Sequence, residues 1–121
     1  MSRYLLEFPA GTLEIGEPPI NSIKREIQEE SGYKAEKWDE LGTLVNAPGY
    51  SDEVIHLFLA RNLSKLENNV KGDLDEDIEV LFMEPESLDN LICSGNEILD
   101  AKTVTAWFRA CLLYTSPSPR D

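Results

Sequence analysis

Apolar and polar positions follow two rhythms along this chain, and the change of rhythm marks its elements. Between Pro18 and Gly32, Ile20, Ile23 and Ile27 recur at i, i+3 and i+7, the stripe of a helix with one face on a core. Pro18 and Pro19 suit its first turn, where the lost amide hydrogens have no intrahelical partner, and Gly32 supplies the left-handed cap at its far end. Ahead of this helix, Tyr4 to Phe8 reads as a short strand ended by Pro9, and Thr12 to Ile15 as a small hairpin arm. Beyond it, Lys37 to Asn46 has the mixed pattern of a half-exposed strand in which Gly42 marks a bulge. Val54 to Ala60 is a nearly unbroken apolar run, as in a central strand covered on both faces. His56 inside that run reads as a packed ring rather than a catalyst.

Asn62 to Asp77 forms a polar, acidic loop that leads into a further strand, Ile78 to Met83. Glu84 to Ser87 opens a short helix that runs to about Cys93. Asp100 caps another helix, with Val104, Trp107 or Phe108, and Cys111 as its apolar stripe. Trp107 reads as core rather than as a platform for stacking a base.

Composition narrows the class. At 121 residues with 41% apolar content the chain fits one domain. No stretch approaches the length of a membrane span and no signal-peptide layout opens the chain, so no membrane partner is expected and the cytoplasm is the default location. A formal charge of −12 argues against a nucleic-acid footprint, which needs clustered Lys and Arg. Cys93 and Cys111 match no disulfide framework and no metal spacing.

The chemistry concentrates between Gly11 and Tyr33. Glu26 and Glu30 are four apart on the predicted helix, so their carboxylates lie one turn apart on one face. Glu29 lies about 100° further round and can lean toward the same place, and Arg25, four residues before it, can pair with it. Carboxylates gathered this closely resist ionisation unless a cation lies between them. Magnesium suits such oxygen donors and is usually shared with substrate phosphates, with manganese as the alternative. The constellation points to a pyrophosphate or phosphate-ester site run by metal ions.

The same stretch has Gly11, five residues, Glu17, seven residues, then Arg25-Glu26-Ile27-Gln28-Glu29-Glu30-Ser31-Gly32-Tyr33. This resembles the signature box of the Nudix hydrolases at every specified polar position, with Tyr33 in place of the usual aliphatic residue. Such a match arises by chance on the order of once in a billion windows at average residue usage, which sets aside a merely solvated acidic helix. The resemblance implies an α/β fold, the Nudix α/β/α sandwich with a mixed curved sheet. It implies Glu26 and Glu30 as metal ligands, Glu29 as a third ligand or water-orienting group, and the carbonyl of Ala10 completing the shell. Gly11, Glu17, Arg25 and Gly32 become supports of the loop and helix.

Pro48 falls sixteen residues beyond Gly32 within Pro-Gly-Tyr-Ser-Asp-Glu, a context that resembles the Nudix subgroup hydrolysing ADP-ribose. On its own Pro48-Gly49 is an ordinary turn dipeptide. Pro48 and Glu53 become substrate-binding candidates, and Glu76 in the acidic loop, with Asp75 second, the carboxylate that deprotonates the attacking water. The implied activity is magnesium-dependent hydrolysis of ADP-ribose to AMP and ribose 5-phosphate by a homodimeric parent. Its rivals are another nucleoside diphosphate derivative, such as a sugar nucleotide or dinucleoside polyphosphate, and a module that binds ADP-ribose without cleaving it.

Both ends look foreign to that family. Residues 111–121 resemble a transposon-based sequencing adapter translated as protein, expected to be non-native and disordered, which confines the partial Nudix domain to residues 1–110. Only ten residues precede Gly11, which suggests that Met1 is an internal methionine of a longer gene.

Overall fold

The computed structural model describes residues 6–67, 79–96 and 99–115. Helix α1 (Pro19–Ser31), strands β1 (Tyr33–Val45) and β2 (Val54–Lys65), and helices α2 (Pro85–Ser94) and α3 (Ala101–Thr115) follow one another. β1 and β2 pair as a two-stranded antiparallel sheet, and Leu6 and Leu99 add an isolated parallel bridge. The chain divides into two units. One holds Phe8–Asp39 and the described part of Ala60–Glu84, and the other holds Leu6 and Glu7, Glu40–Leu59 and the described residues from Pro85 onward.

In the first of these units, α1 begins where the proline pair allows it, with Pro18 extended as N-cap and Pro19 as the first helical residue. It stops at Gly32, whose φ of 78° is left-handed and whose amide donates to Gln28 O at 2.9 Å. Ser31 secures the same end: its hydroxyl donates to Ile27 O at 2.5 Å and accepts the amide of Tyr33 at 3.1 Å. The amide of Leu66 then donates to Gly32 O at 2.9 Å, so the residue after β2 is tied to the helix cap. Ile20, Ile23 and Ile27 are half-buried, and Ser22 between them is the deeper residue.

The strands of this unit differ from expectation in three places. β1 starts at Tyr33 rather than Lys37, because the left-handed Gly32 turns the chain directly into extended backbone. Thr12 to Ile15 forms no hairpin arm; the segment ends in a turn at Ile15 and Gly16 closed by Glu17 N donating to Glu14 O at 3.0 Å. Residues 79–83 form no strand, although Phe82 meets Tyr33 edge-on, with centroids 5.5 Å apart. β2 runs on to Lys65 where an acidic loop was expected, with Asn62 in the left-handed region at φ 59°. Arg61 and Asp39 pair at 2.8 Å between the strands.

In the other unit, the buried apolar residues are Leu57 on β2 and Ala110 on α3. The run Val54 to Ala60 is therefore not covered on both faces among the described residues: Val54 and His56 are exposed, and the expected packed His56 is corrected accordingly. α2 opens at Pro85 as expected, with Glu86 in its first turn. α3 is capped by Asp100, whose Oδ1 accepts the amide of Thr103 at 3.3 Å. Its buried face is Thr103 and Ala110 with half-buried Trp107, while Val104 and Phe108 of the expected stripe are exposed.

Hydrogen bonding explains this rotation of α3. Arg109 donates from Nη1 to the carbonyls of Leu41 and Thr43, each at 2.9 Å, and Lys102 pairs with Glu7 at 3.5 Å and with Asp100. Both cations lie on one flank of the helix and draw it inward. The Trp107 indole donates to Asp89 of α2 at 3.2 Å. α3 continues through residues 111–115, and residues 116–121 lie outside the described ones. Among the described residues no helix is long and apolar enough to cross a membrane.

Candidate active site

Gly11, Glu17, Arg25 and Glu26 of the box meet between the N-terminal loop and one face of α1. Glu17, two residues ahead of the helix, is largely enclosed and receives a guanidinium fork: Arg25 Nη1 donates to Glu17 Oε2, and Nη2 to Oε1 at 3.3 Å. Glu17 Oε1 also accepts the amide of Glu14 at 3.2 Å. The loop is thus fastened to the second turn of α1 through one carboxylate. The hydrogen bond from Arg25 holds the Glu17 carboxyl below its ordinary range, against a smaller opposing effect of burial, and Glu17 in turn raises the guanidinium of Arg25.

Arg25 reaches two further carboxylates more loosely, Glu26 Oε1 at 3.8 Å from Nη2 and Glu29 Oε1 at 4.0 Å from Nε. The expected pairing of Arg25 with Glu29 is present, but Glu17 is the principal partner. Spacing along a helix could not reveal that, because the loop supplies the partner from eight residues back. The signal available in sequence was two opposite charges at fixed places in the box.

Glu26 lies over the loop itself. A Cβ built on Gly11 would overlap Cγ and Cδ of Glu26, so the glycine is required by close approach. This puts the Glu26 carboxylate beside the backbone that carries Ala10. Glu30 is half-buried one turn further along the same helix face. Glu29 is more exposed, with 54% of its side chain accessible. Among the described residues no three His, Cys, Asp or Glu side chains stand close enough to grip an ion as they are. The donor set nevertheless fits a hard divalent cation in kind: carboxylates on one helical face, and a loop that only a residue without Cβ lets Glu26 approach.

Pro48 and Glu53 are carried by the loop between β1 and β2. Pro48 occupies the second position of a tight turn in which Tyr50 N donates to Ala47 O at 2.9 Å and Ser51 N to the same oxygen at 2.8 Å. Pro48 and Glu53 are exposed, and the amide of Glu53 donates to Ser51 Oγ at 3.0 Å. They belong to the unit that does not contain α1. Glu76 and Asp75 lie outside the described residues.

The NUDIX domain model matches residues 2–108. The chain belongs to the Nudix family. This Nudix chain is 42% identical over 106 residues to an ADP-ribose pyrophosphatase of Bacillus subtilis (strain 168), covering 88% of this chain and 57% of that protein. It is 38% identical over 104 residues to a GDP-mannose pyrophosphatase of Escherichia coli O1:K1 / APEC, covering 85% of this chain and 53% of that protein. A crystal structure of an ADP compounds hydrolase superposes with a TM-score of 0.68 at 24% identity, over 88% of this chain and 57% of that one. That likeness shows the Nudix fold, in agreement with the α/β class expected from the box. The chain thus spans somewhat over half the length of the relatives it matches. Nudix hydrolases as a family generally depend on divalent metal.

Proposed function

We propose that the protein hydrolyses the pyrophosphate bond of ADP-ribose with magnesium, giving AMP and ribose 5-phosphate. The observation that carries this reading is the seat of Glu26 against Gly11, with Glu30 one turn along, in a box fastened by the Glu17 and Arg25 fork. The similarity to an ADP-ribose pyrophosphatase and the Pro48 turn sixteen residues after Gly32 support the substrate.

Glu26, Glu30 and the carbonyl of Ala10 would hold the cation, which when bound neutralises charge developing on the diphosphate and lowers the pKa of a nearby water. Glu29 joins them as a third ligand or orients that water, and Glu76 accepts its proton as the oxygen bonds to one phosphorus. The bridging P–O bond breaks and its electron pair leaves with the other phosphate. Arg25 keeps α1 fastened to the loop that carries Ala10.

A second reading, hydrolysis of a sugar nucleotide, is favoured by the similarity to a GDP-mannose pyrophosphatase. Assay of the protein as its full gene encodes it, against ADP-ribose, GDP-mannose and dinucleoside polyphosphates with and without magnesium, separates the readings. The proposal expects magnesium-dependent AMP from ADP-ribose as the preferred reaction. Preference for GDP-mannose, or binding of ADP-ribose without products, overturns it.

A further inference from the structure

The guanidinium of Arg25 faces three carboxylates and holds them unequally. Glu17 takes the hydrogen-bonded fork, whereas Glu26 and Glu29 stand at 3.8 and 4.0 Å, beyond hydrogen-bond reach. The two loosely held groups are those that the cation would engage. A side-chain rotation can release either of them without breaking a hydrogen bond, while the fork to Glu17 cannot be released so cheaply.

We propose that Arg25 is a surrogate counter-ion for the acidic face of α1: it neutralises Glu26 and Glu29 in the metal-free protein and yields them to the divalent cation, while Glu17 retains the guanidinium. This rests on the divalent-cation reading given under Proposed function. Arg25 therefore both braces the loop and competes with the metal, and Glu17 limits that competition by keeping the fork engaged.

The two substitutions that break the fork then have opposite effects on metal binding. Arg25→Gln removes a positive charge beside the ligands. Glu17→Gln frees Arg25 to lean fully on Glu26 and Glu29. A residue that served only as a brace would weaken metal binding in both cases.

The test is a titration with manganese alone, following the electron paramagnetic resonance signal of the free ion. Circular dichroism checks that each variant is folded. Removing a unit charge a few ångströms from a divalent ion, in or near water, predicts about three- to tenfold tighter binding by Arg25→Gln. Glu17→Gln is expected to bind more weakly than wild type. Arg25→Lys keeps the charge and leaves it held by Glu17 through a single ion pair in place of the fork, so it is expected to bind like wild type, which preserves the test if Arg25→Gln does not fold. Wild-type binding that is weakened in Arg25→Gln, or in Arg25→Lys as much as in Glu17→Gln, overturns the surrogate role alone. No manganese binding by the wild type overturns the cation reading as well.

Discussion

Glu26 lies so close over Gly11 that no Cβ can be placed on the glycine without displacing the carboxylate. The atoms in the way belong to the outer part of a flexible side chain, so Gly11→Ala moves Glu26 rather than the backbone. Stability in urea is therefore expected to change by less than about 1 kcal/mol, as for a substitution that leaves no cavity or buried charge. Turnover is expected to fall about 10- to 100-fold, the scale of disturbing the support of a metal ligand. A loss of stability with turnover intact would show that Gly11 serves the fold only.

The Glu17 and Arg25 fork sets an acid limit on stability. Because the hydrogen bond from Arg25 lowers the carboxyl pKa in the folded state, the contribution is fully present above the unfolded value of about 4.3 and is lost as pH falls through the folded value. Denaturation from pH 7 to pH 3 is expected to show a smaller acid loss for Glu17→Gln than for wild type. Parallel curves would contradict the assignment.

Asp100 tests the entry of α3. Burial by itself would raise its carboxyl, but hydrogen bonds from Lys102 and Thr103 outweigh that and hold it below the ordinary range. Asp100→Ala removes the cap and is expected to cost about 0.5–2 kcal/mol at neutral pH, measured by urea denaturation. The difference from wild type should shrink as the pH falls through the carboxylate range, because the wild-type group is then protonated too.

Glu30 tests the chemistry. Glu30→Gln keeps the size of the side chain and removes its charge, and turnover of ADP-ribose is expected to fall at least about a thousandfold, the scale of losing a key electrostatic group. Near-normal turnover would contradict the role given to the α1 carboxylates.

The frame of the site was legible in the sequence because its cause is local. Two prolines and a glycine bound α1 within one residue of where they were read, and a four-residue spacing fixes Glu26 and Glu30 on one helix face. What the sequence concealed depends on partners far along the chain. The fork between Glu17 and Arg25 needs the loop to turn back at Ile15 and Gly16, and periodicity says nothing about turning back. The buried face of α3 is set by Arg109 reaching the carbonyls of Leu41 and Thr43, 68 and 66 residues away. Periodicity places Val104, and either Trp107 or Phe108, on the apolar stripe of α3, yet Val104 and Phe108 are exposed and Trp107 alone of the two aromatics is half-buried. Tyr33, the departure from the family box, meets Phe82 from a segment whose apolar run suggested a strand.

Anomalous scattering from manganese in crystals of the protein as its full gene encodes it would locate the ion directly. A peak within about 2.2 Å of carboxylate oxygens of both Glu26 and Glu30, and of the carbonyl of Ala10, is the predicted result. A peak held by other residues, or none at manganese concentrations that support turnover, would contradict the account.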